Sequence, residues 1–337
     1  MTNTLYTSTQ KVASTQLTPP STTPTSAGDL VGKTAIVTGS NSGIGLECAR
    51  QFLDRGLSKL ILAVRDEKRG AIAREDLASG RALEPDTIEV WPLDYSSYDS
   101  VTSFAKRANG LKHLDVAVLN AGVYRIPHAV LPTGHEEDIQ VNYLSTALLA
   151  ILLLPILEAR RRPENSPGRL TVVSSSVAAW SRFKPQDGRP LLTSLDEPIL
   201  DHHQRYCTSK LLGQLFLTEL TRRVPPSVAI VNHVNPGLCY GSGLARDGAG
   251  TLLGFIVGFV FRIFGRSCVS GARSIVDAAV NHNEEVHGEY LDGGITSKMA
   301  SVVYTAEGER MTQSLWKETM SELSFAGVED VIEALSI

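Results

Sequence analysis

The sequence predicts a doubly wound α/β fold, a parallel sheet covered by helices on both faces. From residue 31 onward, short β-branched runs alternate with longer amphipathic segments. Most of the runs are apolar throughout, as strands buried on two sides must be. The first run leads directly into a glycine-rich turn followed by helical spacing. At 337 residues, 42% hydrophobic and 20% charged, the chain can close a full core.

In chain order the strand candidates are 33–38, 59–64, 87–93, 114–120, 169–174, 227–234 and 289–291. Helical periodicity fills 43–55, 67–78, 97–108, 134–161, 204–222, 269–281 and 309–323. Each strand is thus separated from the next by a crossover, which predicts about seven parallel strands. Residues 1–28 read as a flexible tail: sixteen are Ser, Thr or Pro and Lys11 is the only charge, too little apolar surface to offset ordering entropy. A transit peptide would carry several arginines, and none precedes Arg50. Residues 29–337 then form one domain with two insertions, 176–203 and 240–266, at positions where open α/β sheets bind ligands.

Composition excludes several classes. A formal net charge of -4 lacks the basic excess that nucleic acid requires. Cys48, Cys207, Cys239 and Cys268 stand far apart, which suggests neither a zinc site nor a disulfide framework and fits a reducing, cytoplasmic compartment. The histidines show no ligand spacing beyond the adjacent His202 and His203, so no metal is expected. The apolar stretches 147–157 and 252–264 fall short of the ~20 residues that span a bilayer.

The glycine turn reads Thr38-Gly39-Ser40-Asn41-Ser42-Gly43-Ile44-Gly45. Gly39 permits the tight turn, Gly43 lets backbone N–H groups approach a pyrophosphate, and Gly45 allows close helix–strand packing. This Thr-Gly-x-x-x-Gly-x-Gly spacing resembles the short-chain dehydrogenase/reductase family, a Rossmann-fold group. Further motifs follow in that family's order: Asp94, Asn120-Ala121-Gly122, Asn142, Ser175, Tyr206-Cys207-Thr208-Ser209-Lys210 and Pro236-Gly237. The resemblance covers residues 31–291. Within the family the chain looks like the retinol-dehydrogenase-like group and the tailoring reductases of fungal secondary metabolism.

The second strand ends Leu62-Ala63-Val64-Arg65-Asp66. Val64 stands where an acid would bind the ribose 2′-OH, and Arg65 follows, which favours the 2′-phosphate of NADP(H). The competing reading makes Arg65 a solvated charge and Asp66 a helix cap. The resemblance implies that Asp94 accepts from the adenine amino group. It also implies that Asn120, Ala121 and Gly122 line the adenosine side, and that Pro236 and Gly237 belong to the cofactor site.

Tyr206 and Lys210 are one helical turn apart and share a face. An ammonium beside a phenol draws its pKa down from ~10, making Tyr206 an acid/base. By resemblance, Lys210 also binds the nicotinamide ribose, Ser175 holds the carbonyl oxygen and Asn142 holds a relay water. Ser174 is the alternative to Ser175, since a one-residue slip reverses the faces. The expected reaction interconverts a ketone and a secondary alcohol on a bulky lipophilic substrate, a polyketide or terpenoid intermediate. Trp180, Phe183 and Leu191, with Cys239, Tyr240, Phe255, Phe259 and Phe261, would wall and cover the pocket. Residues 252–264 stay open between lid, core helix and membrane contact through Arg262 and Arg266. The alternatives are a retinol or lipid dehydrogenase at a membrane surface and a redox-silent cofactor-binding module. A homodimer through the helices around Asn142 and Tyr206 is compatible with the apolar 147–157 run, as is burial within one subunit.

Overall fold

A computed structural model describes residues 29–161, 167–185, 189–195, 201–244 and 265–336. Its elements are β1 (Thr34–Thr38), α1 (Gly43–Asp54), β2 (Lys59–Val64), α2 (Glu67–Ala78), β3 (Ile88–Pro92), α3 (Tyr98–Ala108), β4 (Val116–Leu119) and α4 (Glu137–Ala159). Then come β5 (Gly168–Val173), α5 (Leu191–Leu195), α6 (His202–Arg223), β6 (Ala229–Asn235), β7 (Cys239–Tyr240), β8 (Arg266–Ser267) and α7 (Cys268–Val280). The chain ends through β9 (Tyr290–Asp292), β10 (Ile295–Ser297), α8 (Ala306–Glu322) and α9 (Val328–Leu335). The tail and residues 252–264, with Phe255, Phe259, Phe261 and Arg262, lie outside the described residues, as do parts of both insertions.

The main sheet has eight strands in the order β10-β9-β6-β5-β4-β1-β2-β3. Seven are parallel; β10 runs antiparallel to β9 and closes one edge, while β3 closes the other. Side chains alternate across the pleat. Ile36, Ile61 and Ala63 face the layer of α3, α4, α6, α8 and α9, whereas Ala35, Val37, Leu60 and Leu62 face α1, α2 and α7. Helix starts are capped as their sequences dictate: Asp66, Ser97, Asp201, Ser267 and Thr305 each accept a backbone N–H from the first turn.

Helix α4 contains a π-helical turn, Gln140–Leu144, and is long and apolar enough to cross a membrane. However, 89% of its apolar window is buried inside the protein, so it is accounted for as a core helix. Helix α9 covers α4, and α8 covers α6, where Trp316 stacks on Phe216 at 5.5 Å and the Tyr143 hydroxyl meets Thr319 Oγ1 at 2.5 Å. The order of strands reverses at β1, which places the ends of β1 and β4 at the crevice where such sheets take ligands.

Candidate active site

The glycine turn joins β1 to α1, and its conformation leaves little choice of residue. Gly39 and Gly43 have φ of 64° and 58°, in the region that side chains avoid. A Cβ on Gly45 would lie 2.5 Å from the Gly39 carbonyl oxygen and 2.6 Å from Asn120 Nδ2, so the helix could not approach the turn. Ser242, from the loop after β7, presses its backbone against Gly43. Ser42 caps α1 without a side-chain hydrogen bond, which leaves the first N–H groups of the helix to other acceptors. Ser40 Oγ is fully buried and has no partner among the described residues. Orphan donors at a helix start beside a buried hydroxyl fit the phosphates of a dinucleotide.

Asn120 ties the turn to β4, donating from Nδ2 to the Thr38 carbonyl at 2.9 Å, while Asn120 N and Ala121 N both donate to Thr38 Oγ1 at 2.9 Å. Asp94 receives both the backbone N–H and the hydroxyl of Ser96 on Oδ1, which leaves Oδ2 open. Arg65 is exposed at the end of β2 and makes no hydrogen bond or ion pair among the described residues, while Asp66 caps α2. Asn41 and Ile44 are partly exposed within the turn. Pro236 and Gly237 follow β6, with Gly237 at φ 78° and its N–H on Asn235 Oδ1.

Helix α6 delivers Tyr206 and Lys210 to the same crevice. Lys210 Nζ stands 5.7 Å from the Tyr206 ring centre and donates to the Val173 carbonyl at 3.1 Å. The Ser175 side chain lies beside Tyr206 and favours the ionised form of its phenol. Ser174 is buried on the other face, where its hydroxyl accepts from Gln214 at 3.4 Å. Asn142, in the π-helical turn, accepts Val123 N–H at 2.8 Å and donates to the Val123 carbonyl and to Ser209 Oγ. A Cβ on Gly122 would come 3.1 Å from Asn142 Oδ1 and 3.7 Å from Lys210 Nζ, so this glycine gives both side chains room. A cavity of about 20 Å³, enough for about one water, is lined in part by Asn142, Ser174, Ser209, Lys210 and His233.

Electrostatically the pair differs from the sequence expectation. Burial, and next the Asp138 carboxylate, push the Tyr206 phenol above its ordinary value, and the neighbouring Ser175 side chain only partly opposes them. Burial lowers the Lys210 ammonium to about 8, against an upward pull from Asp138. Desolvation of both side chains, each about 9% exposed, is the largest cause of both shifts.

Asp138 belongs to a group that the sequence reading missed. Arg205, one residue before Tyr206, is 2% exposed and places Nε 3.1 Å from Glu136 Oε1 and 3.7 Å from Asp138 Oδ2. Its Nη2 donates to the carbonyls of Arg125 and Ile126, while Asp138 Oδ1 accepts the Arg125 N–H. Burial and the neighbouring Glu136 raise the Asp138 carboxyl to about 7. The loop after β4 is therefore gripped at Val123 by Asn142 and at Arg125–Ile126 by the ionic cluster. Of the expected wall residues, Leu191 is 2% exposed and belongs to the core, Cys239 is buried, Phe183 and Trp180 are half-buried, and Tyr240 is exposed. Among the described residues no cluster of three metal-ligating side chains occurs.

Residues 33–184 match the family model described as short chain dehydrogenase. The chain is 48% identical over 314 residues to the short-chain dehydrogenase fogG of Aspergillus ruber, covering 91% of this chain and 90% of that protein. It is 44% identical over 313 residues to the short chain dehydrogenase/reductase mfmJ of Annulohypoxylon moriforme, covering 91% and 89% of the two. Among solved structures, an uncharacterized protein from Mycobacterium paratuberculosis superposes with a TM-score of 0.63 at 26% identity, covering 90% of this chain and 98% of that one. A short chain dehydrogenase from Shigella flexneri complexed with NADP shares the fold, with a TM-score of 0.54 at 19% identity, covering 80% and 100%. Similarity of this extent along nearly the whole chain means that the protein belongs to the short-chain dehydrogenase/reductase family and is an oxidoreductase.

Proposed function

We propose that the protein is an NADP(H)-dependent reductase that interconverts a ketone and a secondary alcohol on a bulky lipophilic substrate of the polyketide or terpenoid kind. The observation that carries this reading is Tyr206 with Lys210 Nζ 5.7 Å from its ring centre, one helical turn away, and Ser175 beside it. When bound, the nicotinamide supplies or accepts the hydride. Tyr206 gives its proton to the carbonyl oxygen while Ser175 holds that oxygen by hydrogen bond. A phenol kept protonated by burial suits this acid role in the reducing direction. Lys210 anchors the ribose and returns a proton to Tyr206, and Asn142 would hold a water that connects Lys210 to solvent, for which the cavity beside it has room.

The 2′-phosphate of NADP(H) finds its partner in Arg65, whose guanidinium is otherwise unengaged among the described residues, with no acid at Val64 to repel it. That an NADP-bound structure shares this fold agrees with the assignment. A panel of bulky ketones assayed with NADPH and NADH in parallel tests the reading. NADPH should be preferred, and Tyr206→Phe should lower ketone reduction by about 10²- to 10⁴-fold while NADPH still binds by fluorescence titration. Undiminished product from Tyr206→Phe would refute the assignment and favour a redox-silent module.

A further inference from the structure

Three separate segments bring rings together beside Tyr206. Tyr124, from the loop after β4, stands edge-on to Tyr206, with centroids 5.2 Å apart and planes at 72°. The same ring is edge-on to His202 at 5.6 Å and tilted to His203 at 6.4 Å. Trp180, from the segment after β5, lies 6.1 Å from His203. All four of Tyr124, Trp180, His202 and His203 are half-buried, so each packs on one side and is open on another. Tyr206 completes the group, with Ser175 beside its phenol.

These rings are held in place by their supports. Asn142 grips Val123 on one side of Tyr124, and Asp138 with Arg205 grips Arg125 on the other. Glu137 Oε2 accepts from Arg125 Nε at 2.8 Å, a further hold on the same loop. Gln204 receives the Arg182 N–H at 2.8 Å and donates to the Trp180 carbonyl at 3.2 Å, which fixes the backbone around Trp180. Burying Arg205 with two carboxylates is costly, and a surface loop does not need it. Its effect here is to set the position of Tyr124 against Tyr206.

We propose that Tyr124, Trp180 and His203 form an aromatic wall that receives a planar conjugated ring, so that the carbonyl presented to Tyr206 is an aryl ketone. The inference rests on the ketoreductase reading above and narrows it. Rigid rings with fixed edges and faces reward a flat π-system through offset and edge-to-face contacts, which a flexible alkyl chain cannot return. Chemically, hydride from the reduced nicotinamide forms the new C–H bond, the C=O π pair moves to oxygen, and that oxygen takes the Tyr206 proton. The nicotinamide is oxidised and the carbonyl reduced.

The test compares wild type with Tyr124→Leu and Trp180→Leu on aryl carbonyls and on alkyl or alicyclic carbonyls of equal carbon number, with NADPH. The readout is the ratio of kcat/KM between the two series, which a merely structural loss would not move. Wild type should favour the aryl series by about tenfold or more, and each variant should shrink that ratio by roughly two- to tenfold. In addition, 2-naphthol, which cannot be reduced, should compete with substrate where cyclohexanol does not. A wild-type ratio near one, or a ratio that neither variant changes, overturns the aromatic wall while leaving the ketoreductase reading intact. If NADPH binds and no carbonyl of either series oxidises it, the ketoreductase reading falls and the wall falls with it.

Discussion

Asp138 shows how one buried charge can govern two neighbours. Its carboxylate, 0% exposed, raises both the Tyr206 phenol and the Lys210 ammonium. Arg205 and Glu136 face it directly, with Glu137, Arg125 and Tyr124 around it. Removing the charge in Asp138→Asn lowers both affinities for protons. With Lys210 at about 8 in the native chain, the alkaline limb of the reduction rate should move to lower pH in the variant, a shift that pH–rate profiles would read. Stability should respond as well. The folded carboxyl, at about 7, binds its proton more tightly than the unfolded one, so native stability is lost as pH rises from ~4 toward 7. Asp138→Asn should flatten that loss in denaturation midpoints measured at pH 5 and pH 8. None of this was legible in the sequence, where Glu136-Glu137-Asp138 sits within helical periodicity. Only the fold sets those acids against Arg205, although an arginine immediately before Tyr206 was the available signal.

At the level of elements, the strand–turn–helix unit of β1 and α1 was readable because its determinants are local. Strand, glycines and amphipathic run are contiguous, and α2 and β2 were likewise bounded correctly by Asp66 and Val64. Elements fixed by distant contacts were not. The π-helical turn around Asn142 breaks no periodicity that a reader would notice, and α9 lies beyond the last expected helix, ordered by its packing on α4. The short α5 is similarly held from afar, as Glu318 of α8 accepts the N–H groups of Leu191 and Leu192. The turn itself makes a clear prediction. Gly45→Ala places a methyl 2.5 Å from the Gly39 carbonyl oxygen, forcing α1 away from the turn. Nucleotide affinity by calorimetry should fall at least tenfold, with far-ultraviolet circular dichroism unchanged.

For the whole molecule, the disposition of the C-terminal helices bears on assembly. The two long helices expected to pair between subunits are covered within the chain, α4 by α9 and α6 by α8. Stacking of Trp316 on Phe216 and the Arg222–Glu309 ion pair fasten α8 in place. The purified protein should therefore run as a monomer in light scattering, and a dimer at micromolar concentration would show that another face associates. The sheet also ends safely at both rims. At one, β10 is three residues long and reversed, and at the other β3 carries Glu89 and ends on Pro92, which has no N–H to lend. A ribbon of eight strands so terminated offers little template for a ninth from a neighbouring molecule, and crowding should not draw these chains into cross-β stacks.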